Sequence, residues 1–228
     1  MDIAIYDLDK TITHRPTFTH FLLFYARREC PHRLAAVPVW IAALIGYRLG
    51  FYARKPLKQF GIAMFMGREV STQNLDRVAS KVVDEVVVPD LQPGAAKAIA
   101  NDRASGHRLV IATAAPEFYA TIIGTRLGFD DVVATLHIVT SDGMISNKID
   151  GENCYGPEKL RRIEEWMIKQ GVVRDQAHIR FYSDHISDTP TLAWADEAYA
   201  VNPDTTFAKA AKDSGWTIIN FRSPHQTD

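Results

Sequence analysis

The sequence predicts an α/β fold, a Rossmann-like parallel sheet core interrupted by an all-helical insertion. Three observations lead to this prediction. An apolar run at the start of the chain, Ile3–Tyr6, ends in two carboxylates. Residues 15–70 form a long segment without the alternation of a strand. From residue 93 onward, helix and strand patterns alternate, which is typical of a parallel sheet covered by helices.

The composition limits the class of protein. The chain has 228 residues, of which 46% are hydrophobic and 23% charged, as expected of an ordinary globular protein. A net charge of -1 gives no overall attraction to nucleic acid. Cys30 and Cys154 form no disulfide framework, and the acids Asp2 and Asp7 are unlike a secretory signal. We therefore expect a cytoplasmic protein.

The first strand carries the strongest chemical signal. The run Ile3–Tyr6 predicts a buried central strand, and Asp7 and Asp9 follow it with only Leu8 between them. Side chains alternate along a strand, so both carboxylates should leave on the same side. Two like charges this close repel each other, and a divalent cation, a phosphoryl group or both would relieve the repulsion. A solvated acidic turn is the alternative.

The long insertion has the pattern of helices. Apolar and aromatic residues recur near its start at the spacing of an amphipathic helix: Phe18, Phe21, Leu22 and Tyr25. Ser71 is the expected N-cap of a later helix that runs to about residue 88. We predict a helical cap domain over 15–88, inserted into a core domain made of 1–14 and 89–228.

The charge of the insertion is unbalanced. Residues 15–70 hold nine basic and two acidic side chains, so this segment is +7 and the remainder of the chain is −8. One interpretation is a basic, aromatic-lined lid that attracts an anionic substrate with an organic tail. The alternatives are an ordinary solvated helix face and attraction to an anionic membrane surface.

One stretch has about the length of a bilayer span. Residues 34–52 are nearly all apolar, but they include Pro38, Gly46, Arg48 and Gly50. An arginine inside a membrane span is costly. The sequence therefore favours a half-buried cap helix over a transmembrane helix, and contact with a membrane surface stays open.

The second half of the chain supplies the other elements of the core. Strands are expected over 108–113, 132–135, 179–183, 198–201 and 216–221, with helices over 93–105, 116–127 and 158–170 and from Pro190 and Pro203, and a hairpin over 136–149. Three strands end in polar side chains, those of Asp7, Thr113 and Asp184. In open α/β sheets, ligands bind at the edge where the strands end.

These positions resemble the four motifs of the haloacid dehalogenase superfamily. They occur in the order of that family and span essentially the whole chain: Asp7 and Asp9 in the DxDxT motif, Thr113, Lys159, and Asp184 with Asp188. The helical insertion between the first and second motifs resembles the cap of the phosphoserine phosphatase-like branch. The resemblance implies a phosphatase with a sheet core and an inserted cap.

The resemblance also implies roles for the reactive groups. Asp7 would attack phosphorus and become an aspartyl-phosphate. Asp9 would protonate the leaving alkoxide and then take a proton from the hydrolytic water. Thr113 would donate its hydroxyl to a phosphoryl oxygen, helped by the amides of Ala114 and Ala115 at the start of a helix. Lys159 would bring its positive charge close to the same phosphoryl oxygens.

A Mg²⁺ site follows from the same comparison. The implied ligands are the carboxylate of Asp7, the backbone carbonyl of Asp9 and the carboxylate of Asp184, completed by water. Asp188 would hold a metal-bound water or the lysine without touching the metal itself.

Several neighbours compete for these roles. Lys148 and Lys169 are alternatives to Lys159, which is favoured by its place after Gly156 and Pro157 at a helix start. Thr113 alone is also compatible with an N-cap. His185 is expected to be a bystander, and two residues just beyond the nucleophile, His14 and Arg15, are expected either to touch substrate or to form a solvated turn.

Two positions depart from the family pattern: Lys10 stands where many relatives have Gly or another small or polar residue, and Ala115 stands where many have Ser or Gly. The fourth motif also lacks the Gly-Asp-Gly form of phosphoserine phosphatases, so we do not predict that specificity. All the reactive groups are nevertheless present.

We predict a Mg²⁺-dependent phosphomonoesterase that acts on a small or amphiphilic organic phosphate. Phosphorylated amino alcohols such as histidinol phosphate and lipid-derived phosphates both fit. A phosphotransferase with the same intermediate and a non-catalytic protein that binds a phospholigand or a membrane surface are the alternatives. No nucleic-acid partner is expected, and the sequence does not predict the oligomeric state.

Overall fold

The computed structural model of the chain describes residues 1–223. Its nine strands, in chain order, are β1 (Asp2–Tyr6), β2 (Glu69–Ser71), β3 (Arg108–Pro116), β4 (Asp131–Thr135), β5 (His137–Val139), β6 (Met144–Ile149), β7 (His178–Ser183), β8 (Glu197–Val201) and β9 (Thr217–Ile219). Six of them form one sheet in the order β4-β3-β1-β7-β8-β9, with every pair parallel. The predicted α/β class is therefore confirmed.

Helices account for most of the remaining chain in this range. They are α1 (Thr17–Glu29), α2 (Val37–Arg48), α3 (Arg54–Phe65), α4 (Thr72–Val82), α5 (Pro93–Ala104), α6 (Glu117–Leu127), α7 (Pro157–Lys169), α8 (Thr189–Trp194) and α9 (Thr205–Ser214). The hydroxyl of Ser71 accepts a hydrogen bond from the amide of Asn74, so it caps α4 as predicted. A further turn over Val83–Val87 continues this helix.

Strand β1 lies at the centre of the sheet and contributes to the core on both faces. Ala4 and Tyr6 belong to one buried cluster, which also includes residues of α1 to α4. Ile3 and Ile5 belong to the other cluster, with side chains of α7, β7 and α9. Because neighbouring side chains point to opposite faces, a strand buried on both sides reads as the continuous apolar run seen in the sequence.

The strand order brings three strand ends side by side. Tyr6 of β1 pairs with Ile111 of β3 and with Tyr182 of β7. Because these three neighbouring strands are parallel, the residues one or two positions beyond the pairs lie at the same edge of the sheet, although β3 itself continues to Pro116. Asp7, Thr113 and Asp184, which are more than 60 residues apart in sequence, meet at this edge.

Residues 15–88 consist of helices, short connecting turns and one strand, β2. This strand of three residues pairs antiparallel with β6, and β6 pairs with β5 in the predicted hairpin. The sequence did not predict β2, because three residues are too short for a clear period-2 pattern. Within residues 1–223, none of the helices has both the length and the apolar character required to cross a membrane, and α2 covers only part of the apolar stretch 34–52.

Candidate active site

A cavity of about 540 Å³ lies at the edge where β1, β3 and β7 end. All six residues singled out by the sequence line it: Asp7, Asp9, Thr113, Lys159, Asp184 and Asp188. Its opposite wall is made by α2, α3 and the start of α1. The cavity therefore lies between the sheet core and the helical insertion.

The turn after Asp7 is held by a buried glutamine. Lys10 adopts a left-handed backbone conformation, with φ of 64°, which is uncommon for a residue with a side chain. The Nε2 of Gln92 donates to the backbone oxygens of Lys10, Thr11 and Thr13, at 2.6, 3.0 and 3.1 Å. These bonds hold the strained turn in place, and no local pattern in the sequence pointed to Gln92.

Lys159 lies between two acids in the floor of the cavity. Its Nζ donates to Asp7 Oδ1 at 2.8 Å and to Asp188 Oδ2 at 2.5 Å, and only 2% of the lysine side chain is exposed. The hydroxyl of Ser183 donates to the same Asp188 oxygen at 2.8 Å. The structure thus places Asp188 on the lysine, one of the two positions that the resemblance implied.

Asp7 and Asp184, which both line this cavity, are hard to ionise without a cation. Burial raises the pKa of Asp7 to about 6, although Lys159 acts in the opposite direction. Burial and the nearby Asp7 carboxylate raise the pKa of Asp184 to about 8. Both shifts have the same cause, which is negative charge held in a poorly solvated place.

Unpartnered acidic oxygens remain in this floor. Among residues 1–223, the Asp184 carboxylate takes part in no hydrogen bond or ion pair, and the buried Oδ1 of Asp188 has no hydrogen-bond partner. Four carboxylates, those of Asp7, Asp9, Asp184 and Asp188, line the cavity, and Lys159 forms ion pairs with two of them. Lys10 and Lys58 also line the cavity but form no ion pair with these acids, and the unpaired acidic oxygens suit a hard divalent cation.

The donor set is nevertheless small. No group of three or more His, Cys, Asp or Glu side chains in the described part of the chain is arranged to hold a metal. The predicted Mg²⁺ ligands are compatible with this finding, because only Asp7 and Asp184 contribute side chains and Asp9 contributes its backbone oxygen. Mg²⁺ commonly keeps several water ligands.

Asp9 is oriented by the start of α1. Its Oδ1 accepts hydrogen bonds from both the amide and the hydroxyl of Thr17, each at 2.8 Å. The Thr17 hydroxyl also lies 3.1 Å from the hydroxyl of Tyr119, on α6. A residue of the helical insertion therefore fixes the second carboxylate of the DxDxT motif, and the sequence did not single it out.

We expect Thr17→Val to lower kcat by about 10- to 100-fold, within the range usually contributed by a positioned general acid or base. The valine keeps the shape of threonine but removes one of the two hydrogen bonds to Asp9. The measurement is kcat with a saturating aryl phosphate. Thr121→Val, on the exposed face of α6, is the control and should behave as wild type.

Thr113 lies within β3 and lines the same cavity as Asp7. Its Oγ1 accepts a hydrogen bond from the amide of Ala115 at 3.0 Å, which leaves its own proton available for a ligand. The expectation for the following amides is wrong in part. The amide of Ala115 is occupied by this bond, and α6 begins only at Glu117 because β3 continues through Pro116.

The helical wall contributes cations that sequence reasoning did not assign to the site. Lys58 of α3 is buried, and its ammonium donates to the backbone oxygen of Ala114. Burial, together with nearby Arg54, lowers the pKa of Lys58 to about 7. The guanidinium of Arg54 lies 3.8 Å from the ring centroid of Tyr155 at the cavity. The basic excess of residues 15–70 was the only available signal.

Of His14, Arg15 and His185, only His185 borders the cavity. His185 borders the cavity, but its Nδ1 accepts from the amide of Ser187 in a local turn, as expected of a bystander. Arg15 forms an ion pair with Asp90 at 2.9 Å and, like the exposed His14, does not line the cavity. Of the two expectations for His14 and Arg15, the solvated turn matches the structure.

Residues 4–193 match the family model described as haloacid dehalogenase-like hydrolase. The chain is also similar to curated proteins over most of its length. It is 27% identical to a phosphoserine phosphatase of Mycobacterium tuberculosis, over 96% of this chain and 70% of the relative. It is 26% identical to a histidinol-phosphatase of Neisseria meningitidis, over 67% of this chain and 69% of the relative.

Solved structures share the fold. A protein of unknown function from Bordetella pertussis superposes with a TM-score of 0.87 at 22% identity, covering 96% of this chain and 98% of that one. A substrate-bound phosphoserine phosphatase superposes with a TM-score of 0.60 at 14% identity, covering 98% and 94%. With the family model matched over residues 4–193, the chain belongs to the haloacid dehalogenase-like hydrolase family, and phosphatases are among the relatives that it resembles.

Proposed function

We propose that this chain hydrolyses phosphate monoesters in a Mg²⁺-dependent reaction that passes through an aspartyl-phosphate on Asp7. The observation that carries the proposal is the meeting of Asp7, Asp9, Thr113, Lys159 and Asp184 around one cavity at the edge of the sheet. Structural packing does not require this combination, because four nearby carboxylates cost free energy unless a ligand offsets their repulsion.

Asp7 is suited to act as the nucleophile. Lys159 donates to Asp7 Oδ1, and the hydroxyl of Thr11 lies 3.3 Å from Oδ2, so the carboxylate is held in one orientation. In the first step an Asp7 oxygen would form a bond to phosphorus while the bond from phosphorus to the ester oxygen breaks. Lys159 and the Thr113 hydroxyl would neutralise the phosphoryl oxygens during this step.

Asp9 is suited to act as the general acid and then the general base. Thr17 holds the carboxylate of Asp9 in place. The Asp9 side chain is only partly buried, so its carboxylate can reach a ligand and exchange a proton with it. Asp9 would first give its proton to the leaving alkoxide. It would then take a proton from the water that attacks phosphorus, which breaks the bond to Asp7 and releases phosphate.

The residues present fit a Mg²⁺ ion. The carboxylates of Asp7 and Asp184 and the backbone oxygen of Asp9 would hold it, and Asp188 would stay on Lys159. When bound, such an ion neutralises phosphoryl oxygens and orients the ester for in-line attack. Its charge would also lower the pKa values of Asp7 and Asp184, so that both are ionised at neutral pH.

We propose that 15–88 is a cap domain over a core made of 1–14 and 89–228. Its helices supply one wall of the cavity, so an ester bound to Asp7 would be enclosed by both parts. We further propose a cytoplasmic location, because Cys30 and Cys154 are both free thiols.

The alternative function is that of a phosphotransferase. In that case an alcohol, in place of water, would accept the phosphoryl group from Asp7 at the same site.

Phosphate release from an aryl phosphate should require added Mg²⁺. We expect a chelator to lower the rate by at least about 100-fold and excess Mg²⁺ to restore it, because a metal ion stabilises several kcal/mol of transition-state charge. The assay should include a competing alcohol, since phosphorylated alcohol in place of free phosphate identifies a phosphotransferase. Unchanged turnover in the presence of the chelator would contradict the proposed Mg²⁺ requirement. The absence of turnover on a broad panel of phosphate esters would favour a non-catalytic binding protein.

A further inference from the structure

Helix α2 exposes an apolar surface next to the cavity mouth. Ile41, Ile45 and Leu49 follow one another at intervals of four residues and are 51%, 54% and 65% exposed. Phe51, just beyond the helix, is 77% exposed. With Ala42 these residues form what we call the α2 surface. Apolar side chains at this spacing normally face a core, so a contiguous apolar surface in contact with water indicates a docking site.

The segment that contains the α2 surface has basic but no acidic side chains of its own, and one of its cations, Lys55, pairs with Glu152 from another part of the chain. Residues 30–68 contain no Asp or Glu, and their basic side chains are Arg33, Arg48, Arg54, Lys55, Lys58 and Arg68. Within residues 1–223, Arg48 and Arg54 form no ion pair, and both line the cavity. An apolar surface bordered by free cations is complementary to an anionic bilayer, which offers acyl chains below a layer of negative headgroups.

The α2 surface continues into the cavity. Ile41, Ile45 and Arg48 border the cavity as well as the solvent, and Trp40, Leu44 and Leu57 extend the apolar wall inward. The reactive carboxylates lie at the other end, where the strands end. A molecule with a phosphate at Asp7 and an apolar chain along this wall would therefore reach the α2 surface.

The same wall is unsuited to a cationic substituent. The lining residues from the helical segment include Arg48, Arg54 and Lys58 but no carboxylate. The ammonium group of a phosphorylated amino alcohol or amino acid would find no counter-ion there, apart from the acids that are assigned to the reaction. The cations would instead repel it. The wall thus selects for an apolar or anionic substituent.

From these observations we propose that the α2 surface docks on an anionic bilayer and that the enzyme takes phosphate monoesters with an apolar acyl chain from it. This proposal rests on the proposed phosphatase function and names its substrate class. Because α2 is not long enough to cross a bilayer, the contact is peripheral. The protein would be held at the bilayer by partial insertion of Leu49 and Phe51 and by attraction between its basic side chains and the headgroups.

The test uses Leu49→Ser combined with Phe51→Ser, because neither residue lines the cavity. Wild type should co-sediment with vesicles that contain phosphatidylglycerol, less so at high salt, and only weakly with pure phosphatidylcholine. The double variant should bind the anionic vesicles at least about tenfold more weakly, since it loses two large apolar side chains. Ile168→Ser is the matched control, because Ile168 is 78% exposed on α7 and should not matter.

Turnover separates docking from chemistry. The double variant should hydrolyse a water-soluble aryl phosphate like wild type. It should release phosphate from a long-chain phosphate monoester in anionic vesicles at least about tenfold more slowly. Histidinol phosphate, which carries an amine, should be a poorer substrate than a short-chain alkyl phosphate.

Three results would overturn the proposal. The first is wild type that stays in the supernatant with anionic vesicles at low salt. The second is a double variant that binds vesicles as tightly as wild type. The third is a wild type that forms a dimer and a double variant that is monomeric, with neither protein binding vesicles. This result would assign the α2 surface to self-association. If aryl phosphate turnover persists while vesicle binding fails, only the docking proposal falls. If vesicles bind but no ester turns over, the proposed phosphatase function falls.

Discussion

We expect Asp7→Asn to lower phosphate release by about 1,000-fold or more, the scale of loss usually seen when a covalent nucleophile is removed. Asparagine has nearly the shape of aspartate and can still accept the hydrogen bond from Lys159, but its amide is not a nucleophile at phosphorus. The effect should fall on kcat, since the other groups that contact the phosphate remain. Initial rates with an aryl phosphate and Mg²⁺ measure it.

Asp2→Asn is the matched control for this variant. Asp2 is the exposed residue at the opposite end of the same strand, so the substitution is chemically identical but distant from the cavity. It should leave the rate within about twofold of wild type, as surface substitutions usually do. Circular dichroism should show that both variants keep the fold. Substantial turnover by Asp7→Asn would exclude Asp7 as the nucleophile.

The largest effect on stability is expected from Lys159→Met. This change should lower the free energy of unfolding by about 3–5 kcal/mol, because it leaves the buried carboxylates of Asp7 and Asp188 without their common cation. Urea denaturation at neutral pH without Mg²⁺ measures it. Lys169→Met, at the exposed end of the same helix, should cost less than about 0.5 kcal/mol.

The pH dependence of this deficit has a definite sign. Burial lowers the pKa of Lys159, but Asp188 and Asp7 outweigh it and raise the pKa above the ordinary value of 10.5. A base with a raised pKa stabilises the fold fully below its unfolded pKa and loses that contribution progressively as the pH rises from there through its folded pKa. The deficit of the variant should therefore be complete at neutral pH and shrink in strong alkali. It should also shrink in acid as Asp7 becomes protonated, because burial raises the pKa of Asp7 to about 6. A deficit independent of pH would contradict this charge argument.

The sheet and its reactive edge could be predicted because they depend on short-range patterns. Strand β1 is buried on both faces, so its sequence is a continuous apolar run, and the acids mark the point where it leaves the core. Parallel strands share the direction of their ends, so Asp7, Thr113 and Asp184 had to lie at one edge once the strands were recognised. The sequence did not show that these three strands are neighbours in the sheet. The strand order seen in the structure was needed for that.

The groups contributed by the helical insertion could not be predicted in the same way. Thr17 holds Asp9 and Lys58 reaches Ala114 because of how α1 and α3 pack on the core. Helix periodicity shows which face of a helix is apolar, but it does not give the angle at which two helices meet. Gln92 is a similar case, since its three bonds depend on a backbone turn that is 80 residues away in the sequence.

The exposed apolar residues of α2 had a partial signal. The stretch 34–52 was recognised as unusually apolar, and both burial in a cap and contact with a membrane surface were open. Only Trp40 and Gly46 of this helix are buried. A uniformly apolar helix has no periodicity from which its exposed face can be identified, so three-dimensional contacts were needed to find it.

The central claim is that phosphate passes through a covalent bond to Asp7, and mass spectrometry of the acid-quenched enzyme tests it most directly. During turnover of an aryl phosphate with Mg²⁺, we expect one phosphoryl group on the peptide that contains Asp7, and none on the Asp7→Asn variant. The label should disappear as the substrate is exhausted. Steady release of phosphate with no phosphoryl group on that peptide, or with the label on another residue, would contradict the account.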